Sequence, residues 1–149
     1  MTIGKFCNPH VLSVPRDTTV LEAAHLMRHN HVGDVVVADS VEGGRMPIGI
    51  VTDRDIVVDV VSPGLDPRVI QVGDLLRRPL VTVRERAGYA ETIHVMAEHG
   101  VRRVPIVDDA GLLFGIVTLD DLLHQLAKPL GDLSVITQRA RADEAQARR

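Results

Sequence analysis

Gly49-Ile-Val-Thr-Asp-Arg-Asp55 and Gly115-Ile-Val-Thr-Leu-Asp-Asp121 are one phrase written twice. Each is a short β-branched run that stops at a threonine, with an aspartate three residues on. A run of this kind reads as a buried strand, and Thr-x-x-Asp after it opens a helix. Upstream of each phrase the likeness continues. Val32 to Asp39 reads VGDVVVAD and Val101 to Asp108 reads VRRVPIVD, 69 positions apart. The same offset aligns Leu21-Glu-Ala-Ala-His-Leu-Met27 with Ala90-Glu-Thr-Ile-His-Val-Met96, and Leu12-Ser-Val14 with Val81-Thr-Val83. For the strand-end phrase the offset falls to 66, because three residues are missing between Asp108 and Gly115 relative to Asp39 to Gly49. That stretch, Ser40 to Pro47, is glycine-rich and reads as a loop, where length changes cost little.

Periodicity supplies the elements. Val20, Ala23, Ala24 and Met27 have helical spacing behind Thr19, an N-cap residue. Tyr89, Ile93 and Met96 play that part in the second copy. Val35 to Val37 and Val104 to Val107 read as buried strands, Asp108-Asp-Ala-Gly111 as a turn, and Leu113 to Thr118 as a strand. Each copy is therefore expected to run strand, helix, strand, hairpin, strand, then a short helix from Asp53 or Asp120. Neither copy is long enough for a comfortable core alone. Two copies packed sheet to sheet would bury both apolar faces. The expected boundaries are 6–61 for the first repeat, 62–68 for a linker, 69–127 for the second repeat and 128–149 for a polar tail. Within the tail, 138–149 is expected to fray or to form a helix on a partner.

This pattern resembles the CBS-domain family, in its tandem arrangement known as a Bateman module. The features that carry the resemblance are a strand ending in Gly-Ile-Val-Thr-x-x-Asp, the preceding strand with Pro105 in the second copy, and an amphipathic helix before it, all twice at matched spacing. In the first copy Val36 stands where the second has Pro105. The resemblance runs from about Phe6 to Leu126. It implies an α+β fold of two βαββα repeats packed as a pseudo-two-fold CBS pair, of the stand-alone bacterial type. It also implies a regulatory site for an adenosyl ligand (AMP, ADP or ATP) and no required cofactor. Thr52, Asp55, Thr118 and Asp121 would contact ribose and phosphate, since a carboxylate accepts both hydrogen bonds of a vicinal diol and a helix start suits phosphate. Arg102 and Arg103, otherwise a solvated charge pair, would reach the phosphate of the Thr52–Asp55 site from the opposite copy, and Arg54 could add charge or simply lie exposed. At the first copy's matching positions stand Gly33 and Asp34. No cation is expected there, and Asp34 would repel phosphate, so the two sites are expected to be unequal. Thr-x-x-Asp is equally a capping box that needs no ligand.

Composition narrows the rest. Net charge is −3 and there are three aromatic residues, Phe6, Tyr89 and Phe114. Neither suits a nucleic-acid surface. Cys7 is the single cysteine and cannot form an intrachain disulfide. No apolar run approaches the roughly 18–20 residues of a membrane span, and Met1 to His10 has no secretory apolar core. A cytoplasmic protein is the expectation. Cys7 with His10 could make a nucleophilic pair, but no third orienting group is evident. His25 and His29, at i and i+4 with His31 following, could chelate a metal. His25 and His94 occupy equivalent positions, which points instead to a shared packing role. A structural dimerisation module without nucleotide, or a metal-responsive CBS protein, are the alternatives to a nucleotide sensor. A homodimer is expected, acting on itself or on an unidentified protein effector.

Overall fold

The computed structural model describes residues 1–148. It divides into two compact units, one of residues 1–117 and one beginning at Thr118. In the first copy, β1 (Ser13–Val14) leads to α1 (Val20–Asn30), then to the hairpin of β2 (Asp34–Val41) and β3 (Gly44–Thr52), and to a single turn, α2 (Asp53–Ile56). A π-turn, Val57–Val61, follows. The second copy repeats this as β4 (Val83–Arg84), α3 (Tyr89–His99), β5 (Arg103–Val107), β6 (Leu113–Thr118) and α4 (Leu119–Ala147). Each copy has a three-stranded sheet, in order β1-β2-β3 and β4-β5-β6. The first two strands of each are parallel, and β2 and β3 are antiparallel.

The local causes are those the sequence indicated, with differences. The Thr19 hydroxyl accepts from the Glu22 amide at 3.2 Å and the Glu22 carboxylate accepts from the Thr19 amide at 2.8 Å, a full capping box. On α1, Val20, Ala23 and Met27 are buried. On α3 the fully buried residues include Thr92, whose hydroxyl donates to the Gly88 carbonyl at 2.9 Å and so stays satisfied inside the core. His25 and His94 are both exposed, so their equivalence is not one of core packing. They lie on the outer faces of their helices. The stretch Ser40 to Pro47, expected as a loop, is mostly strand. The β2–β3 ladder continues to Val41↔Gly44, with an irregularity after Val37, and Gly43 (φ 89°) makes the tight turn. Alternating residues of β2 serve two layers. Val35 and Val37 join Val14, Val20, Met27 and Val51 under α1. Val36 and Ala38 face the other way and meet Ile116 of β6, with Ile50 and Leu113 packed around them. That is the sheet-to-sheet contact between the copies.

The copies also exchange their lead-in segments. Ile3 donates its amide to the Ala87 carbonyl at 2.8 Å and Gly4 to Glu85 at 2.9 Å. Sixty-nine positions later, Val72 donates to Thr18 at 2.8 Å and Gly73 to Arg16 at 3.0 Å. Ile3–Lys5 and Val72–Leu75 are the corresponding 3-10 turns. Val72 and Leu75, expected to lead into the second copy, lie in the core of the first. Leu76 covers Gly49, and its counterpart Cys7 covers Gly115. Each half is completed by chain that the repeat pattern assigns to the other.

The helix from Leu119 is not the short one expected. It runs 29 residues to Ala147, through Pro129. Thr118, with Asp121 three residues on, caps it, and most of its residues beyond Leu122 are exposed. The polar tail, with residues 138–149 expected either to fray or to form a helix on a partner, continues this helix as far as Ala147.

Candidate functional site

Strand β3 stops at Thr52 because the chain turns there into α2. Thr52 keeps an extended backbone (φ −105°, ψ 162°) and serves as the N-cap. Its hydroxyl oxygen accepts from the Asp55 amide at 3.1 Å, and Asp55 Oδ2 accepts from the Thr52 amide at 2.8 Å. The capping-box reading of Thr-x-x-Asp is thus realised. The box spends one carboxylate oxygen of Asp55 and the acceptor side of the Thr52 hydroxyl. Among the described residues, Oδ1 of Asp55 and the hydroxyl proton of Thr52 are left for other partners. At the second phrase the box carries one more hydrogen bond. Asp121 donates its amide to Thr118 Oγ1 at 3.2 Å, and Asp121 Oδ2 accepts from both the Thr118 amide at 2.9 Å and the Thr118 hydroxyl at 2.8 Å. There the hydroxyl proton is already committed.

Around Thr52 the fold gathers more than the motif. Asp34 lies opposite Thr52 in the β2–β3 register. The Asp53 amide donates to the Gly33 carbonyl at 2.9 Å, and the Asp53 carboxylate accepts from the Arg54 amide at 2.8 Å. That carboxylate lies over Gly33, where a Cβ would stand 3.2 Å from Oδ2. Arg103 crosses from β5 and forms an ion pair with Asp34, with both side chains less than one-third exposed. Asp34 and Arg103 are equivalent positions of the two copies, 69 apart. Equivalent positions touch only where the pseudo-two-fold axis passes, so this pair marks the axis.

Two findings change the sequence reading of this region. Asp34 does not stand as a bare negative charge, because Arg103 of the second copy pairs with it. Arg102 and Arg103 do not act as twins, since Arg103 is half-buried and paired while Arg102 is exposed and makes no ion pair among the described residues. Arg54 is exposed, one of the two placements expected of it. Burial pushes the Asp34 carboxyl above the ordinary carboxylate range. The Arg103 charge and hydrogen bond pull it back only in part, and the Asp53 charge adds to the rise. From sequence Asp34 reads only as a charge that would repel phosphate, and Asp53 is not singled out as a site residue. A usable signal was present, since opposite charges at equivalent positions of a two-fold pair can meet on its axis.

The other candidates fare differently. Cys7 is buried, its thiol pushed up chiefly by that burial, with the Glu85 charge adding and a backbone hydrogen bond opposing. A thiol so held is a poor nucleophile. His10 is exposed. His25, His29 and His31 line an open groove of about 850 Å³ along α1, together with Val14, Thr18, Glu22, Leu26 and Arg28. Among the described residues no three His, Cys, Asp or Glu side chains stand together as a metal site. No described helix is long and apolar enough to cross a membrane.

Comparison with known proteins agrees with this architecture. The CBS domain profile matches twice, over residues 3–62 and 72–128. MK0525 of Methanopyrus kandleri is 37% identical over 124 residues, 83% of this chain, which spans 62% of that protein's length. Hypoxic response protein 1 of Mycobacterium tuberculosis is 36% identical over 125 residues, 84% of this chain and 85% of its own. A crystal structure of Hypoxic Response Protein I with two coordinated zinc ions superposes with a TM-score of 0.73 at 33% identity, over 83% of this chain and 98% of that one. The cytosolic domain of the Mg2+ channel MgtE in complex with ATP superposes with a TM-score of 0.69 at 28% identity, over 83% of this chain and 48% of that one. CBS pairs are often regulatory, ligand-binding modules rather than catalysts. With two profile matches, two three-stranded sheets and two Thr-x-x-Asp strand ends, the chain belongs to the CBS-domain family as a tandem pair.

Proposed function

We propose that this CBS pair is a cytoplasmic sensor of an adenosyl nucleotide, AMP, ADP or ATP, with no catalysis of its own, acting as a homodimer on another protein. The observation that carries this reading is the arrangement at the end of β3. Thr52 and Asp55 keep an uncommitted hydroxyl proton and one carboxylate oxygen, and the half-buried Arg103 approaches from the other copy. Asp55 Oδ1 suits a ribose diol, and a guanidinium suits phosphate. The likeness to a MgtE domain solved with ATP supports the same chemistry. The Thr118–Asp121 site is the weaker one, because its hydroxyl proton is already used within the box. Arg102 and Arg54, both exposed, serve as outer charges that attract an anion.

The test is a thermal-shift panel with AMP, ADP, ATP, NAD and S-adenosylmethionine on the wild type, Asp55→Ala and Asp121→Ala. A shift in the wild type that Asp55→Ala removes and Asp121→Ala largely keeps supports the reading. Equal loss in both variants overturns the inequality of the sites. Absence of any shift overturns nucleotide sensing and favours a structural dimerisation module.

A further inference from the structure

We infer that Asp34 is a built-in competitor for the ligand phosphate: its carboxylate holds Arg103 on the pseudo-two-fold axis, in the place a nucleotide phosphate at the Thr52–Asp55 site would take. The inference rests on the nucleotide reading above and adds to it a means of regulation. Among the ion pairs of the described residues, Arg103–Asp34 is the only one whose two side chains are both under one-third exposed. The others are surface pairs whose arginine side chain is 60% or more exposed, and such pairs are screened by water and salt. A half-buried guanidinium is not surrendered cheaply, and it suits two kinds of anion, carboxylate and phosphate.

The surroundings decide how the exchange runs. Asp34 faces Arg103 from β5 and Asp53 from α2, and it lies opposite Thr52 in the sheet. A phosphate arriving at Arg103 meets both carboxylates. While Asp34 is ionised, the phosphate must displace it or bear its repulsion. A phosphate carries more charge than one carboxylate, so the exchange favours phosphate once Asp34 turns aside or takes a proton from solvent. Burial already inclines Asp34 towards holding a proton. Adenosine, which carries no phosphate, has no quarrel with Asp34 and leaves the pair intact. A phosphorylated ligand breaks a contact on the axis where the copies meet, and an unphosphorylated one does not. That difference between two states is what a sensor needs if it is to tell phosphorylated from unphosphorylated ligands.

Isothermal titration of ADP and of adenosine into the wild type, Asp34→Asn and Asp34→Thr tests the inference. Threonine suits a strand, so the second variant guards against a folding defect peculiar to the first. The expected result is ADP binding tightened about tenfold or more in either variant, with adenosine affinity unchanged. In the unaltered protein, the Asp34 carboxyl carbon resonance should move on adding ADP and stay on adding adenosine. ADP affinity that is unchanged or weaker in both variants, or an Asp34 resonance indifferent to ADP, overturns the inference while leaving nucleotide binding in place. If the wild type binds neither ADP nor adenosine, the nucleotide reading fails and this inference falls with it.

Discussion

Replacing Gly49 with alanine tests the exchange of lead-in segments directly. An added Cβ would stand 2.3 Å from Leu76 Cδ2, 2.8 Å from Cδ1 and 3.0 Å from Cγ. Carbon atoms in contact settle at about 3.5–4.0 Å, so the Leu76 head must retreat by about 1 Å or more, or β3 must shift. Overpacking of this kind costs about 1–3 kcal/mol. For a chain of this size that lowers Tm by about 3–9 °C. Leu76→Ala alone should cost about 2 kcal/mol, at the low end for leucine because the residue is only partly buried. The two changes should not add. The methyl added at position 49 enters space vacated by Leu76, so the double variant should be about 1–2 kcal/mol more stable than the sum of the singles. Urea unfolding of the four proteins measures this. Additivity within about 0.5 kcal/mol would mean that the Leu76 side chain does not fill the space over Gly49. The counterpart Gly115→Ala should be rescued less by Cys7→Ala. The new Cβ meets Cys7 Sγ at 2.6 Å but also the Asn8 carbonyl oxygen at 3.0 Å, and that backbone is hydrogen-bonded to Ile116.

Thr52→Ala should cost about 1 kcal/mol through the lost cap and weaken ADP binding, whereas Thr52→Ser should keep both. Unfolding titrations and calorimetry read the two effects, and full ADP affinity in Thr52→Ala would remove the hydroxyl from the site. Burial raises the Asp34 carboxyl above its unfolded value, so the folded state binds that proton more tightly. The contribution to stability is therefore complete below the unfolded aspartate value, about 4, and is lost as pH rises through the raised folded value. Asp34→Asn should abolish this fall in urea titrations across that range, and a wild type that gains stability there relative to the variant would contradict the sign. Pro129 removes a helix hydrogen bond inside α4. Pro129→Ala should favour the helix locally by about 3 kcal/mol and slow amide exchange at 130–147, and unchanged exchange there would argue against one continuous helix.

The duplication, the order of elements and both strand-end boxes were legible because they are local. Alternation, capping residues and a repeated phrase act within a few residues of chain. Val35 and Val37 against Val36 and Ala38 show it, since period two already separates the two faces of β2. The length of the first hairpin was not legible, because the glycines after Glu42 resemble a loop as much as a tight turn. The long α4 was missed because proline and a polar composition both argue against a helix, and the cap at Thr118 says where it starts and not where it ends.

Residue order alone is enough to establish two copies of one CBS unit, the start of each helix, and the standing of Thr52, Asp55, Thr118 and Asp121 at strand ends. Which chain completes which half is settled only in the folded molecule. Leu76 and Cys7 fit the glycines of the opposite copy, and a repeat pattern carries no information about such exchange. Folding also settles the electrostatics of the site. Arg103 and Asp34 lie 69 residues apart and meet because a two-fold arrangement brings equivalent positions together on its axis. The charge that the sequence offered to a phosphate is, in the folded chain, already held by a carboxylate.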